Sequence, residues 1–262
     1  LQHYYGHDDV PIGAFKGDDS FNLSHPYVSK LASGWPAPVR SSAQVPDATE
    51  LYRRVLAAQA DGTAVIASVG MLSNLANLLT SPPDEYSSLS GRDLFARKVR
   101  RLGVMAGRYP AGRECNSVKS HRSFKHVLEQ LPPTVPTFFL GFETGINVLT
   151  GAALTNCSGE KSPCRQAYVD YLGGPHRARP SWDPLTALVA VRNTSAAHLA
   201  PCTLCDGANS VNRSGFTAWR PGAATNQTYL TIRKGRDAQR AADEIDALLC
   251  RTPRAHLPSQ FT

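Results

Sequence analysis

The chain has 262 residues, of which 42% are apolar, enough to bury the core of one large domain or two small ones. Its apolar stretches, such as residues 135–140, are far shorter than the roughly 20 residues of a bilayer-spanning helix, which excludes such a span. Lysine and arginine (28) exceed aspartate and glutamate (21), giving a net charge of +7, but the basic residues are scattered without the aromatic-lined stripe typical of nucleic-acid binders.

The first part of the chain alternates between predicted strands and helices. Residues 1–46 are loop-rich, with a short strand predicted at 10–15. A capping-box pattern, Asp47-Ala-Thr-Glu50, predicts the start of a helix. The following elements are a strand at 63–69, a helix at 73–79, a strand at 99–105, a helix at 120–131, a strand at 135–140 and a helix at 145–154.

The remaining elements are less regular. Helices are predicted at 165–172 and 183–191, and residues 193–214 are polar enough to form an exposed excursion that carries cysteines and glycosylation acceptors. A late hairpin is predicted from 216–219 and 228–232, followed by an amphipathic helix at 237–249.

Alternating apolar strands and helices indicate an α/β fold with a doubly wound, mostly parallel sheet, in one domain spanning 1–262. Ligands of such sheets bind beyond the carboxyl ends of the strands. That rule directs attention to the loops at 70–74, 107–116 and 141–145.

Polar residues in and near these loops are the candidate site. Ser73 follows one strand, and Glu114 and Asn116 follow the next, two residues apart, so that both side chains project the same way in an extended loop and could grip one polyhydroxylated ligand. Asp183 stands at the start of a later helix, after Trp182. Simple helix capping is the alternative interpretation of Asp183.

The cysteines and sequons indicate a secreted glycoprotein. Asn-x-Ser/Thr acceptors occur five times, and six cysteines, an even number, suggest disulfide bonds because no second ligand pair completes a zinc site with the CxxC of Cys202 and Cys205. Six cysteines allow 15 pairings, and proximity favours Cys157–Cys164. The acceptors are Asn22, Asn156, Asn193, Asn212 and Asn226; the other cysteines are Cys115 and Cys250.

Six short motifs together resemble the inosine-uridine preferring nucleoside hydrolase family, most closely its eukaryotic branch with Ser-Trp-Asp-Pro near the carboxyl side. Their order and spacing run along nearly the whole chain. They are Val-Pro-Ile-Gly at 10–13, Ser-Val-Gly-Met-Leu-Ser-Asn-Leu-Ala at 68–76, Val-Met-Ala-Gly at 104–107, Glu-Cys-Asn at 114–116, Phe-Leu-Gly-Phe-Glu-Thr-Gly at 139–145 and Ser-Trp-Asp-Pro at 181–184.

The resemblance implies a Ca²⁺-dependent hydrolysis of the N-glycosidic bond of ribonucleosides, with a ribonucleoside as substrate. Ser73 matches a backbone carbonyl ligand of Ca²⁺, and Asp183 a carboxylate ligand. Glu114 and Asn116 match residues that hold the ribose hydroxyls. An oxygen-liganded cation suits this role because it positions a water and the ribose diol together.

The departures from the family bear on catalysis. The family's DxDPGxDD cluster, which provides the general base and further Ca²⁺ carboxylates on the first strand, is absent from this chain; Asp8-Asp9 and Asp18-Asp19 lack its context. Without that strand the sheet would expose an unpaired edge. We therefore expect an N-terminally incomplete domain that needs a complementary segment or a second subunit.

Smaller departures affect the leaving base. Trp182 replaces a histidine that protonates the base in some family members, and can stack on a base instead. His121-Arg122 replaces an Asp-Pro pair, and we interpret His121 as a surface residue at a helix start. Glu143 is interpreted as structural, capping the next helix.

Two hypotheses follow. The chain is a secreted nucleoside hydrolase completed by a segment with the missing aspartates, or a catalytically inactive hydrolase-like glycoprotein with a role in structure, assembly or host interaction, forming an oligomer or larger assembly. Ser73, Glu114, Asn116 and Asp183 favour the first hypothesis; the sequons, cysteines and missing aspartates favour the second.

Overall fold

The computed structural model describes residues 1–17, 25–157, 162–194, 197–199 and 205–253. Its helices are α1 Pro26–Gly34, α2 Ala48–Ala57, α3 Ser73–Thr80, α4 Gly91–Lys98, α5 Cys115–Lys119, α6 His121–Gln130, α7 Phe142–Gly145, α8 Leu154–Cys157, α9 Pro163–Leu172, α10 Trp182–Arg192 and α11 Arg236–Leu249. Its strands are β1 Ala64–Ser68, β2 Val99–Met105, β3 Ala111–Arg113, β4 Thr137–Leu140, β5 Leu149–Thr150, β6 Arg179–Pro180, β7 Asp206–Val211, β8 Phe216–Pro221 and β9 Gln227–Tyr229.

Seven strands of the described chain form one mixed sheet in the order β1-β2-β4-β9-β7-β8-β3. The pairs β1–β2, β2–β4 and β4–β9 are parallel, and β7, β8 and β3 extend the sheet in antiparallel fashion. The parallel strands end at one edge, where their connecting loops meet. The predicted α/β sheet is confirmed. Beyond β4, the strands β8 and β9 overlap the two strands of the predicted hairpin, whereas the sequence pattern did not indicate β3 and β7.

Helices cover both faces of the sheet because successive strand residues point to opposite faces. In β4, Phe139 packs into one core, whereas Phe138 and Leu140 belong to the other. The first core packs residues of α2, α3, α4 and α6, such as Leu56 and Phe124; the second packs α10 and α11. Two apolar layers around a parallel sheet are the doubly wound arrangement.

Several predicted elements are confirmed, and three are wrong. The prediction of one helix at 145–154 fails because α7 ends at Gly145, β5 occupies Leu149–Thr150, and Gly151 has a φ of +107°, which helices do not accommodate. The predicted hairpin fails because β7 lies between β8 and β9. The strand at 10–15 reduces to a single bridge from Ala14 to Asp47.

The predicted exposed excursion at 193–214 is also wrong in part. Residues 206–211 form β7, which pairs with both β8 and β9, and its residues 207–209 are buried. Residues 195–196 and 200–204 of the excursion lie outside the described residues.

The cysteine pairing differs from the prediction. Cys157 at the end of α8 is bonded to Cys250 at the end of α11, with 5.5 Å between their Cα atoms, so the Cys157–Cys164 pairing is wrong. Cys115 and Cys164, also predicted to be in disulfides, are free thiols. Cys205 is disulfide-bonded, and Cys202 lies outside the described residues.

Of the glycosylation acceptors, Asn156, Asn193, Asn212 and Asn226 are exposed, and Asn22 lies outside the described residues. None of the helices in the described ranges combines the length and the apolar composition that crossing a bilayer requires.

Candidate functional site

A cleft of about 680 Å³ opens beyond the carboxyl ends of β2 and β4. This is where a parallel sheet is expected to bind a ligand, and the volume falls within the range of about 300–1,000 Å³ typical of small-molecule sites. The lining residues come from the end of β2, the segment 113–119, the start of α7, the end of α9, β6 and the start of α10. They are Met105, Arg113, Glu114, Cys115, Asn116, Val118, Lys119, Phe142, Tyr171, Arg179, Trp182 and Asp183.

Glu114 is a buried N-cap of the short helix α5. One carboxylate oxygen, Oε1, accepts the N–H of Asn116 at 2.8 Å, and Oε2 accepts the N–H groups of Gly107 at 3.0 Å and Ser117 at 3.2 Å. Burial raises the pKa of Glu114, while these backbone donors oppose the rise. Three of its acceptor positions are thus used by the protein, which leaves little capacity for a ligand.

The loop before Glu114 is held against the antiparallel end of the sheet. The hydroxyl of Thr217 in β8 accepts the N–H of Arg108 at 3.0 Å, and β3 pairs with β8. Gly107 has a φ of +83°, and a Cβ there would lie 2.9 Å from Thr217 Cγ2. A glycine is therefore required where the chain leaves β2, and the loop is anchored to β8 at both ends.

Asn116 is anchored through one half of its amide. Its Nδ2 donates to the carbonyl of Met105, the last residue of β2, at 2.9 Å. The carbonyl oxygen Oδ1 is therefore the atom of this side chain suited to accept a hydrogen bond from a ligand. An acceptor fixed in this way recognises a hydroxyl group.

Trp182 forms an aromatic wall of the cleft. Its indole N–H donates to the carbonyl of Phe142 at 2.9 Å, and the two rings lie 5.5 Å apart between centroids at an angle of 31°. A Cβ on Gly145 would lie 2.3 Å from Trp182 Cδ1, so only glycine at 145 permits this packing. The indole is thus fixed in place, and its only donor is used by the protein.

Asp183, the second residue of α10, is a carboxylate in the wall of the cleft. Its side chain reaches solvent through the cleft, while the surrounding walls remove part of its hydration. This partial desolvation, assisted by the negative charge of Glu114 and opposed by Arg179, raises the pKa of Asp183 to about 6. A carboxylate with such a pKa can both accept hydrogen bonds and exchange a proton near neutral pH.

Ser73 is placed next to this cleft and not among its lining residues. It is the first residue of α3, is buried, and its hydroxyl lies 3.5 Å from that of Ser123. The preceding residue, Leu72, donates its N–H to Ser120 Oγ, which in turn donates to the carbonyl of Asn116. The structure thus brings together Glu114, Asn116, Trp182 and Asp183 in one cleft. Ser73 does not line the cleft and is connected to it through the hydrogen bonds of Leu72 and Ser120.

The described residues do not fit a calcium ion by themselves. Within the described ranges, no three histidine, cysteine, aspartate or glutamate side chains are grouped closely enough to hold a metal. Glu114 uses its oxygens on backbone donors, which leaves Asp183 as the one carboxylate among the lining residues free of such bonds. Ca²⁺ takes about 6–8 oxygen ligands, often several of them carboxylates.

Two other residues weighed from sequence lie outside the cleft lining. His121 begins α6, as predicted, with its ring Nδ1 3.2 Å from the carbonyl of Val118. Glu143 lies within α7 and accepts the N–H of Tyr109 at 2.9 Å, so its carboxylate joins α7 to the loop after β2 and does not cap a following helix as predicted. Glu143 therefore has a structural role, but it acts through this hydrogen bond and not through helix capping.

Sequence reasoning missed the cationic residues of the cleft and two of its aromatic residues, Phe142 and Tyr171. Arg179 places its guanidinium carbon 4.3 Å from the centre of the Tyr171 ring. Phe142, Arg113 and Lys119 also line the cleft. Phe142 lies inside one of the recognised motifs, whereas nothing in the local pattern singles out the arginines and the lysine.

The fold is similar to that of nucleoside hydrolases and of a type III effector protein. A plant nucleoside hydrolase superimposes with a TM-score of 0.62 at 17% identity, over 94% of this chain and 83% of the other. The inosine-uridine preferring nucleoside hydrolase from Bacillus anthracis gives 0.55 at 16%, over 83% and 68%. The type III effector protein XopQ, complexed with adenosine diphosphate ribose, gives 0.60 at 13%, over 95% and 78%.

No protein-family model and no curated protein matches the sequence. At these identities the structural similarities establish the fold alone.

Proposed function

We propose that the cleft binds a ribonucleoside, and that the chain is a nucleoside hydrolase-like glycoprotein that cleaves the N-glycosidic bond when an acidic segment completes its site. The observation that carries the proposal is that Asn116 and Asp183, which the family resemblance assigns to ribose and metal binding, line one cleft together with Trp182, on which a base can stack.

The polar side of the cleft suits the ribose diol. Asn116 offers Oδ1, and Asp183 offers a carboxylate whose pKa of about 6 leaves it mostly ionised at neutral pH. Two acceptors on rigid elements can each take a hydrogen bond from one ribose hydroxyl, as carboxylates and amides commonly do. Glu114 then acts mainly by fixing the start of α5, which carries Asn116.

The aromatic side suits the base. Trp182 and Phe142 form a wall on which a flat heterocycle can stack, an interaction worth about 1–3 kcal/mol per base. Since the indole N–H of Trp182 is bonded to the carbonyl of Phe142, this residue binds the base without protonating it.

The free edge of β1 is where the proposed segment adds. Among the described strands, β1 pairs with β2 on one side and stands at the end of the sheet on the other. A parallel strand added there would end at the same sheet edge as β2, about 10 Å from it at the usual spacing of about 4.8 Å between strands. Ser73, just after β1, would lie between the added strand and the cleft.

Catalysis is assigned to the completed protein only. The acidic cluster typical of the family is absent from the chain, and the described residues do not provide a calcium site. Hydrolysis, and the calcium dependence implied by the resemblance, therefore depend on carboxylates from the added segment, which belongs to the same protein or to a second subunit. The exposed sequons and the disulfides support secretion of a glycoprotein.

Calorimetry and base-release assays with inosine test this proposal. The chain alone should bind inosine more tightly than 2′-deoxyinosine and release no hypoxanthine. A peptide containing the Asp-x-Asp-Pro-Gly-x-Asp-Asp pattern should add Ca²⁺-dependent release that a chelator abolishes, and its Asp-to-Asn counterpart should not. Equal inosine affinity in the wild type and in Asn116→Ala and Asp183→Asn would overturn the proposed site. Binding without release in the completed protein would instead favour an inactive, hydrolase-like role.

A further inference from the structure

Three cationic side chains, Arg113, Lys119 and Arg179, line the proposed nucleoside cleft. None of them takes part in the ion pairs found among the described residues. Other exposed cations do so: Lys30 pairs with Asp170 at 2.7 Å, and Lys125 with Glu129 at 3.7 Å. The cleft therefore carries positive charge that is not neutralised by direct contact with a carboxylate.

The two carboxylates of the cleft do not cancel this charge. Glu114 turns both oxygens toward the backbone N–H groups of Gly107, Asn116 and Ser117, within the protein. Glu114 and Asp183 together still leave an excess of one positive charge among the lining residues, and neither forms an ion pair with the three cations. A neutral nucleoside has no group that would use the excess positive charge.

Arg179 is held in a manner that leaves its polar atoms available. Its backbone is fixed by pairing with Thr150 in the two-stranded β5–β6 sheet, and its guanidinium lies over the ring of Tyr171. Stacking on an aromatic face fixes the plane of a guanidinium without consuming its N–H donors. In the described chain, no hydrogen bond from this guanidinium to another residue is found. A planar, preorganised donor group of this kind recognises phosphate in bidentate fashion.

The cleft also has room for a larger ligand. A second recess of about 410 Å³ borders the first, and Tyr171, Arg179, Trp182 and Asp183 line both. A group attached to the nucleoside can therefore pass along Arg179 without displacing the base from Trp182.

We infer that the cleft takes a 5′-phosphorylated ribonucleoside, with the phosphate held by Arg113, Lys119 and Arg179. The inference rests on the proposed function, since it assumes that Asn116 and Asp183 hold the 2′ and 3′ hydroxyls. With those two positions engaged, the 5′ carbon is the one from which a phosphate can project toward the cations.

Calorimetric titration of the whole chain with adenosine, adenosine 5′-monophosphate and inorganic phosphate tests the inference. The monophosphate should bind at least about tenfold more tightly than adenosine at low salt, and inorganic phosphate much more weakly than either, because charge-assisted contacts add to the nucleoside contacts. The variant Arg113→Gln/Lys119→Gln/Arg179→Gln removes three charges and should lower the affinity for adenosine 5′-monophosphate to that for adenosine.

A matched variant separates the local effect from the overall positive field. Lys234→Gln/Arg236→Gln/Arg240→Gln also removes three exposed cations, none of which lines the cleft, and should keep the tenfold preference. Lys119→Gln alone, on an exposed position of α5, should lower the preference about threefold and guards against misfolding of the triple variant.

Adenosine binding without a preference for the monophosphate would overturn this inference and leave the proposed function intact. Binding of neither ligand would overturn both. Inorganic phosphate binding as tightly as the monophosphate, or an equal loss of preference in the matched variant, would show a general anion effect and would also overturn the inference.

Discussion

The carboxylate of Glu114 accepts the backbone N–H of Gly107 at 3.0 Å, which joins the start of α5 to the end of β2. The same side chain caps α5 through Asn116 and Ser117. Glu114, which the sequence analysis assigned to ligand binding, thus stabilises the loop that carries the candidate site.

Replacing Glu114 should therefore affect stability as well as binding. Glu114→Ala leaves three N–H groups without their acceptor, and we expect a loss of about 2–4 kcal/mol in the free energy of unfolding. Urea denaturation measures it. Glu129→Ala, which removes an exposed carboxylate on α6, should change the stability by less than about 0.5 kcal/mol. Equal stabilities of Glu114→Ala and the wild type would refute the capping role.

The aromatic wall predicts a loss of affinity when Trp182 is shortened. Trp182→Leu removes the stacking surface, and we expect inosine affinity to fall about tenfold, equivalent to about 1.4 kcal/mol. Trp182→Phe retains a ring and should lose less. Trp35→Leu, on a tryptophan packed against Tyr4, is the matched control and should leave the affinity unchanged. Calorimetry distinguishes these results, and an unaffected Trp182→Leu would exclude a stacked base.

The disulfide between Cys157 and Cys250 predicts both a peptide map and a stability difference. It closes a separation of 93 residues, so Cys157→Ser/Cys250→Ser should lower the free energy of unfolding by about 2–5 kcal/mol. Non-reducing digestion should yield the 157–250 cross-linked peptide, with Cys115 and Cys164 open to alkylation. Cys164→Ser is the control and should be neutral. A 157–164 cross-link would contradict the structure.

The raised pKa of Asp183 predicts a pH-dependent stability. In the unfolded chain this carboxyl titrates near its ordinary value of about 3.9, whereas in the folded chain its pKa is about 6. The folded state therefore binds the proton more tightly, and stability should fall as pH rises through this interval. Because the side chain is exposed to solvent in the cleft, we expect this contribution to be about 1 kcal/mol.

Comparison with Asp183→Asn isolates this contribution from those of other carboxyls. Thermal or urea unfolding is measured from pH 4 to pH 7 in the presence of a chelator. Over this range the free energy of unfolding of the wild type should fall by about 1 kcal/mol relative to that of the variant. Parallel pH profiles for the two proteins would contradict the enclosed environment of Asp183.

The parallel half of the sheet was predictable because its signals are local. The strands β1, β2 and β4 are apolar runs followed within two residues by Gly70, Gly107 and Gly141, and the sequence analysis located each strand within three residues. The common edge of parallel strands then brings their loops together, which is why Glu114 and Asn116 were found.

In the antiparallel half, strands overlapping β8 and β9 were predicted, but β7 and the strand order were not, for the opposite reason. β7 contains Gly207, Ala208, Asn209 and Ser210, residue types with weak strand preference, and pairing with β8 and β9 alone makes it a strand. The disulfide was not predictable for the same reason. Cys157 and Cys250 are brought together only by the fold, in which α8 and α11 end close to each other. The cleft cations likewise come from segments that only the fold brings together.

The measurement that tests the central claim most directly is a crystal structure of the chain with bound inosine. The account predicts ribose hydroxyls within hydrogen-bonding distance of Asn116 Oδ1 and the Asp183 carboxylate, with the base against Trp182. Inosine bound elsewhere, or a ribose that contacts neither Asn116 nor Asp183, would contradict it.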